Sequence, residues 1–166
     1  DGDAFVMPMR HWEWLLTNIA RRLPWVERVS CYANAKSVAL KSDDDLARLR
    51  DLGLSMVYYG VESGHPDVLE RIRKGASAET LLLQARRLKN AGFVLSVTVI
   101  IGLAGKDGGL EHAVATCQLP IRITPDHVGA LTLLLSPAPP LAGQAPTGAI
   151  ALPNPTALLP HPCVLP

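Results

Sequence analysis

Several polar side chains stand beside glycines, an arrangement typical of a ligand-binding site. Glu62 and Ser63 interrupt the apolar stretch YYGVESG, Asp3 lies in DGDA, and Lys74 precedes Gly75 in ERIRKG. Carboxylates accept hydrogen bonds from hydroxyls or from an ammonium group, and glycine lets the backbone approach a ligand. The pattern therefore favours a nucleoside or an amino-acid-like ligand.

Each of these residues also has a structural interpretation. Asp3 is a candidate cap for the first helix, and Glu62 would favour the positive end of the helix that follows it. Ser63 is a candidate N-cap of that helix, and Lys74 lies near its end, where a cation is stabilised. Both interpretations stay open for all four residues.

Strand and helix patterns alternate from Pro8 to about Leu135 and position these residues. Apolar residues at helical spacing predict a first helix ending at Pro24. Three more helices are predicted to begin at Ser42, Pro66 and Ser77, and a last one, LEHAVATCQ, to end at Pro120. The predicted strands are WVERVSCYA, LSMVYYGV, FVLSVTVII and HVGALTLLL.

The third and fourth of these strands are nearly continuous apolar runs. This composition predicts buried strands, and it predicts that FVLSVTVII is central with helices over both faces. Strand starts lie about thirty residues apart, a spacing that requires crossover helices and parallel strands. We therefore expect an α/β fold, a barrel or an open sheet, with polar loops gathered at the carboxyl ends of the strands.

Composition limits the class of protein. The chain has 166 residues, 48% hydrophobic residues and a formal net charge of +1, which gives nucleic-acid binding little support. No apolar run reaches the roughly 20 residues that span a bilayer, so we expect a cytoplasmic protein without a membrane segment. The substrate and the oligomeric state stay unknown.

The cysteines and the short motifs point to few alternatives. Cys31, Cys117 and Cys163 are far apart and odd in number, which argues against a disulfide framework and offers no local metal motif. The sequence also lacks GxGxxG, a P-loop and a GxSxG elbow. His112 and His127 receive no predicted role.

Composition changes after Leu135. Residues 136–166 hold nine of the fourteen prolines and no Asp, Glu, Lys or Arg. Proline removes backbone donors and disfavours the helix, so we predict a domain over residues 1–135 and a Pro-rich irregular or disordered tail over residues 136–166.

Taken together, DGDA, YYGVESGHPDVLERIRKG, AGFVLSVTVIIGLAG, the EHA helix and PDHVGALTLLLSPAPPL resemble the radical S-adenosylmethionine (radical SAM) superfamily. The resemblance is to its coproporphyrinogen dehydrogenase and elongator-like branch and covers roughly residues 1–141. It implies a partial TIM-type barrel in which about strands three to six are present. It also implies S-adenosylmethionine as cofactor, cleaved reductively by a [4Fe-4S] cluster to a 5′-deoxyadenosyl radical.

The resemblance assigns candidate cofactor contacts. Gly2 and Asp3 match the motif that receives the methionine ammonium, and Glu62 and Ser63 match the pair that reaches the ribose and methionine. Lys74 matches a partner of the methionine carboxylate. The adenine-packing positions of the family correspond to Ile100 and Gly102.

The sequence departs from the family at the cluster. The family holds its cluster with Cys-x3-Cys-x2-Cys after strand one, and these 166 residues contain no such motif. We therefore expect a truncated radical SAM core that is inactive alone. The alternatives are a non-catalytic barrel-derived interaction module and a cofactor-independent enzyme that uses Asp3 and Glu62 as acid and base.

Overall fold

A computed structural model describes residues 2–105 and 108–133. Within these ranges a 3-10 turn (Ala4–Val6) precedes alternating helices and strands. The strands are β1 (Val29–Ala33), β2 (Leu54–Glu62), β3 (Val94–Ile101) and β4 (His127–Thr132). The helices are α1 (Met9–Arg22), α2 (Ala35–Ala39), α3 (Asp43–Asp51), α4 (Pro66–Arg71), α5 (Ala78–Asn90) and α6 (Gly109–Ile123).

The four strands form one parallel sheet in the order β1-β2-β3-β4. Each strand thus pairs with the next one along the chain, as repeated right-handed crossovers produce in a TIM-type barrel. This arrangement confirms the predicted α/β fold and the predicted central position of β3. The predicted tail, residues 136–166, lies outside the described residues.

One face of the sheet packs against helices and forms the core. On β2 and β3 this face presents Val57, Tyr59, Val61, Leu95 and Val97, each with no exposed surface. Apolar residues of the helix layer close over them, including Leu46, Leu49, Leu81 and Leu88. Burial of this apolar surface is the main stabilising term of the fold.

Helix ends follow the chemistry predicted from the sequence. Ser42 caps α3 by accepting a hydrogen bond from the Asp45 N–H, and Ser77 caps α5 by accepting one from Thr80. Pro66 occupies the first turn of α4. Gly92, after α5, has a φ of 84°, a conformation that costs glycine little.

Two predicted element boundaries were wrong in detail. The strand predicted as WVERVSCYA begins only at Val29, where pairing with Leu54 of β2 starts. α6 does not stop at Pro120 but continues to Ile123. Pro120 removes one backbone donor, yet burial of Leu119 and Ile123 in the core holds the last turn in place.

Burial of the strands also differs from the prediction. β3 alternates, with Leu95, Val97 and Val99 buried and the intervening side chains partly exposed, so helices cover one face only. β4 is exposed along almost its whole length among the described residues. A run of apolar residues therefore did not distinguish a fully buried strand from one with an open face.

None of the described helices has the length and apolar character needed to span a membrane.

Candidate functional site

A cleft of about 390 Å³ lies at the carboxyl ends of β1 and β2. Its volume falls within the range of about 300–1,000 Å³ that is usual for small-molecule sites. The lining residues are Gly2, Asp3, Tyr32, Ala33, Asn34, Gly60, Glu62 and Lys74. Four of the seven residues predicted to bind a cofactor, separated by up to 72 positions in sequence, therefore meet in one place.

The backbone turns sharply where Glu62 leaves β2. Glu62 has a φ of 66°, and the N–H of Ser63 donates to the carbonyl of Val61 at 2.8 Å, closing a tight turn around it. A non-glycine residue in this region is strained by about 1–3 kcal/mol, and such strain concentrates at functional sites. The turn shifts the register of pairing with β3 between Gly60 and Glu62, and the Glu62 side chain lines the cleft.

Glu62 forms an ion pair with Lys74 across the cleft. The Lys74 Nζ lies 3.2 Å from Oε1 of Glu62, and the two side chains are only 14% and 24% exposed. Lys74 lies beyond Arg71, the last residue of α4, and its side chain has this specific ionic partner. Partial burial makes the pair stronger than an exposed one.

Gly60 makes room for this ion pair. A Cβ added to Gly60 would lie 2.5 Å from Oε1 of Glu62 and 3.3 Å from Nζ of Lys74. The first distance is far below van der Waals contact, so any other residue at Gly60 would displace the carboxylate. The Glu62 side chain thus lies over the backbone of Gly60, which has no side chain of its own.

Asp3 contributes a carboxylate without a partner. Its Oδ1 is buried and forms no hydrogen bond with the described residues. The N-cap of α1 is Pro8, and the Asp3 carboxylate accepts no capping hydrogen bond, so Asp3 does not have the predicted capping role. A buried polar atom without a partner calls for an explanation, and a bound cationic group supplies one.

Two groups near Asp3 respond to its charge. Burial raises the pKa of the Cys31 thiol to about 12, and the Asp3 carboxylate acts in the same direction. Burial lowers the pKa of Lys41, opposed by Asp45 and Asp3. The Lys41 Nζ donates to the carbonyl of Phe5 at 2.9 Å, below the cleft, so this cation is already engaged in the core.

The other three predicted residues do not line the cleft. Ser63 is fully buried, and its Oγ accepts a hydrogen bond from the N–H of His65 at 3.0 Å. Ile100 is half-buried on β3, and Gly102 follows that strand with a φ of 93°. Ser63 therefore stabilises the turn that precedes α4. It is not the N-cap of that helix, because His65 holds that position.

Sequence reasoning missed Tyr32, Ala33, Asn34 and Gly60. Asn34 caps α2, its side chain accepting from the N–H groups of Lys36 and Ser37 at 2.8 and 3.1 Å. Its position directly after a strand was a usable signal. The period of two in a strand also places Gly60 on the same side as Glu62, which could have identified it.

The described residues do not fit an iron-sulfur cluster. No group of three or more His, Cys, Asp or Glu side chains in residues 2–105 and 108–133 is arranged to hold a metal ion. Cys31 is buried in the core with a raised pKa, whereas cluster ligation requires a thiolate.

Comparison with known proteins identifies related sequences and folds. The family described as Radical SAM superfamily matches residues 9–115. None of the curated proteins matches the chain.

Solved structures share the fold at low sequence identity. Coproporphyrinogen III oxidase (HemN) from Escherichia coli, described as a radical SAM enzyme, is 16% identical with a TM-score of 0.71 over 94% of this chain. The archaeal Methanocaldococcus infernus Elp3 is 17% identical with a TM-score of 0.69 over 90%. The radical S-adenosylmethionine methyltransferase TsrM from Kitasatospora setae is 20% identical with a TM-score of 0.65 over 90%.

The chain spans only part of these proteins, namely 35% of HemN, 39% of Elp3 and 30% of TsrM. HemN and Elp3 represent the branch that the sequence resembles. At these identities the structures show the shared fold and not a shared substrate.

Proposed function

Because this chain belongs to the radical SAM superfamily, we propose that the cleft at the carboxyl ends of β1 and β2 binds S-adenosylmethionine. The observation that carries this proposal is the meeting of Asp3, Glu62 and Lys74 in that cleft. Two carboxylates and one ammonium group match a ligand that has an ammonium, a carboxylate, a sulfonium and a ribose diol.

Each side chain has a part of the ligand that it fits. The unpartnered Oδ1 of Asp3 accepts from the methionine ammonium, with the backbone of Gly2 beside it. Lys74 has three donors, so it pairs with the methionine carboxylate while remaining beside Glu62. Glu62 uses its remaining lone pairs to accept from the ribose hydroxyls.

The adenine end is assigned to β3. Ile100 and Gly102 lie at the carboxyl end of this strand, beyond the cleft lining. An apolar side chain and a glycine at this position suit the face of a planar base. Ser63 is proposed to act on the cofactor indirectly, by fixing the turn that carries Glu62.

In a chain that also carried the family's cysteine motif, a bound [4Fe-4S] cluster would supply the electron for reductive cleavage of S-adenosylmethionine. The 166 residues lack the cysteine motif that holds this cluster in the family. We therefore propose that the chain alone binds the cofactor without cleaving it.

Calorimetric titration of the chain with S-adenosylmethionine tests the proposal. Replacement of Glu62 by Ala should weaken binding more than about tenfold, since a charge-assisted hydrogen bond contributes about 1.5–3 kcal/mol. Glu27→Ala is the matched control, because Glu27 is exposed and does not line the cleft. Equal affinities for Glu62→Ala and Glu27→Ala would remove Glu62 from the site.

The exposure of β4 favours a second candidate function, a non-catalytic barrel-derived interaction module. Val128 and Leu131 are 54% and 56% exposed, on an edge strand whose backbone pairs only with β3 among the described residues. Such an edge pairs readily with a second copy. Light scattering should then give a dimer that Val128→Lys disrupts, whereas a monomeric wild type would exclude pairing with a second copy through β4.

A further inference from the structure

The open face of the sheet carries a row of hydrogen-bonding side chains beneath the cleft. Parallel pairing places one residue of each strand side by side, and all four are polar or phenolic. This polar row consists of Tyr32, Tyr58, Ser96 and His127. Tyr32 also lines the cleft, so the polar row and the candidate cofactor site are continuous.

The groups of the polar row are accessible and unused. Tyr32 is 59% exposed, His127 is exposed, and Tyr58 and Ser96 are half-buried. No hydrogen bond joins any of their side chains to another of the described residues. The Tyr32 and Tyr58 rings stack with centroids 5.2 Å apart at an interplanar angle of 30°. The row therefore offers a flat aromatic surface beside free donors and acceptors.

A row of small residues lies between the polar row and the carboxyl ends of the strands. This small row consists of Gly60, Thr98 and Gly129, again paired side by side. A Cβ added at Gly129 would have its nearest neighbour at 4.0 Å, so that end of the row is open. Filled TIM-type barrels place bulky branched residues in such layers. Here the layer leaves space next to the Glu62–Lys74 ion pair.

Charge decides which ligand suits this space. Neither row contains Asp, Glu, Lys or Arg. The nearby Lys74 pairs with Glu62 and, in the proposed cofactor site, with the methionine carboxylate. An anionic group lying against these rows would lose hydration without gaining a fixed countercharge. A neutral ring would instead stack on the tyrosine pair and hydrogen-bond to the hydroxyls.

We propose that the polar row is the floor of a substrate compartment, and that it takes an uncharged planar ring bearing hydrogen-bonding groups. The proposal rests on the proposed function, because the polar row adjoins the cleft proposed for S-adenosylmethionine and Tyr32 belongs to both. It adds the chemical class of the substrate group and the residues that select it.

Two-dimensional amide NMR of the full chain tests the proposal with benzamide and benzoate, which share a ring and differ in charge. Benzamide should shift the amide signals of Tyr58, Gly60 and Ser96 with an affinity on the order of millimolar, as expected for a fragment of this size. Benzoate should bind at least about fivefold more weakly. Equal binding of the two probes would overturn the proposal.

Variants then locate the bound ring. Tyr32→Leu keeps an apolar side chain but removes the ring and hydroxyl, and should weaken benzamide binding at least about fivefold. Trp25→Leu is the matched control, because Trp25 is 72% exposed and belongs to neither row. Ser96→Ala is a smaller change and should also weaken benzamide binding. If Tyr32→Leu does not fold, the affinity of Ser96→Ala tests the proposal. Loss of binding in Trp25→Leu, or unchanged binding in both Tyr32→Leu and Ser96→Ala, would overturn the proposal.

The same samples separate this proposal from the cofactor proposal. S-adenosylmethionine should shift signals of Glu62 and Lys74 in the absence of benzamide. If it does so while benzamide shifts nothing, the substrate compartment is wrong and the cofactor site stands. If benzamide binds at the polar row and S-adenosylmethionine shifts nothing, the row is a ring-binding surface and the cofactor assignment fails.

Discussion

Tyr58 and Tyr59 are neighbours in β2, yet they belong to opposite faces of the sheet with different physical roles. Tyr59 is fully buried under the helices, and its hydroxyl donates to the carbonyl of Leu81 at 3.1 Å. Burial raises the pKa of Tyr59, which keeps this donor protonated. Tyr58 is half-buried on the open face and stacks on Tyr32.

The difference shows how one strand combines a tightly packed face with a face that has accessible polar groups. The covered face is filled by apolar side chains and satisfies its one phenol internally. The open face holds glycines, hydroxyls and a strained carboxylate. These residues pack less tightly than the core, so space and accessible polar groups remain on this face. Substitutions on the two faces should therefore affect different measurements.

The largest effect is expected from truncating the two tyrosines. Tyr59→Ala removes a fully buried ring and should lower the free energy of unfolding by about 3–5 kcal/mol, measured by urea denaturation. Tyr58→Ala removes a stacking contact on the open face and should cost about 1 kcal/mol or less. Similar losses for both variants would mean that the open face is as tightly packed as the covered one.

Gly60→Ala should impair binding with little effect on stability. The added methyl carbon would lie 2.5 Å from Oε1 of Glu62 and displace the carboxylate, so affinity for S-adenosylmethionine should fall about tenfold or more in calorimetry. Gly129→Ala is the matched control on the same face, where the space is open. Unchanged affinity in Gly60→Ala would show that the ion pair is free to move without loss of binding.

A smaller effect is expected from pH, through His112 in α6. His112 is only 5% exposed, and burial lowers its pKa below the ordinary value of 6.5, with His65 and Arg71 acting in the same direction. The folded state therefore favours the neutral imidazole. Stability from this group is complete above about pH 6.5 and declines as pH falls towards the lower folded pKa, by at most about 1.4 kcal/mol per pH unit.

Urea midpoints at about pH 7.5 and about pH 5.5 measure this decline. His112→Gln should reduce the difference between the two midpoints, because the group that titrates is gone. His127→Gln, on the exposed strand β4, should leave the difference unchanged. A decline that is the same in His112→Gln and in the wild type would assign it to another group.

Local patterns predicted much of the framework. The caps at Ser42 and Ser77, the proline at the start of α4 and the glycine after α5 were all predictable, because each depends on a few neighbouring residues. Strand spacing likewise predicted parallel pairing. The extension of α6 through Pro120 was not predictable, because packing of Leu119 and Ile123 outweighs the lost hydrogen bond.

The candidate site was predicted only in part. Asp3, Glu62 and Lys74 stood out as polar residues beside glycines, and the resemblance to a family named them. Tyr32 did not stand out, because an aromatic residue in an apolar strand is usually a core residue. Whether a tyrosine faces helices or a cleft depends on which side of the sheet the crossovers cover.

The sequence by itself determined where three helices begin, the parallel pairing of the strands and the types of side chain available, since these follow from local conformational preference and the periodicity of apolar residues. The tertiary structure alone decided that Asp3 meets a carboxylate and an ammonium from the region of β2 and α4, and that Gly60 makes room for them. It also decided that Tyr59 lies in the core and that Tyr58 lies on the open face. Both outcomes depend on contacts between distant segments, and these exist only once the sheet has formed and the helices have covered one of its faces.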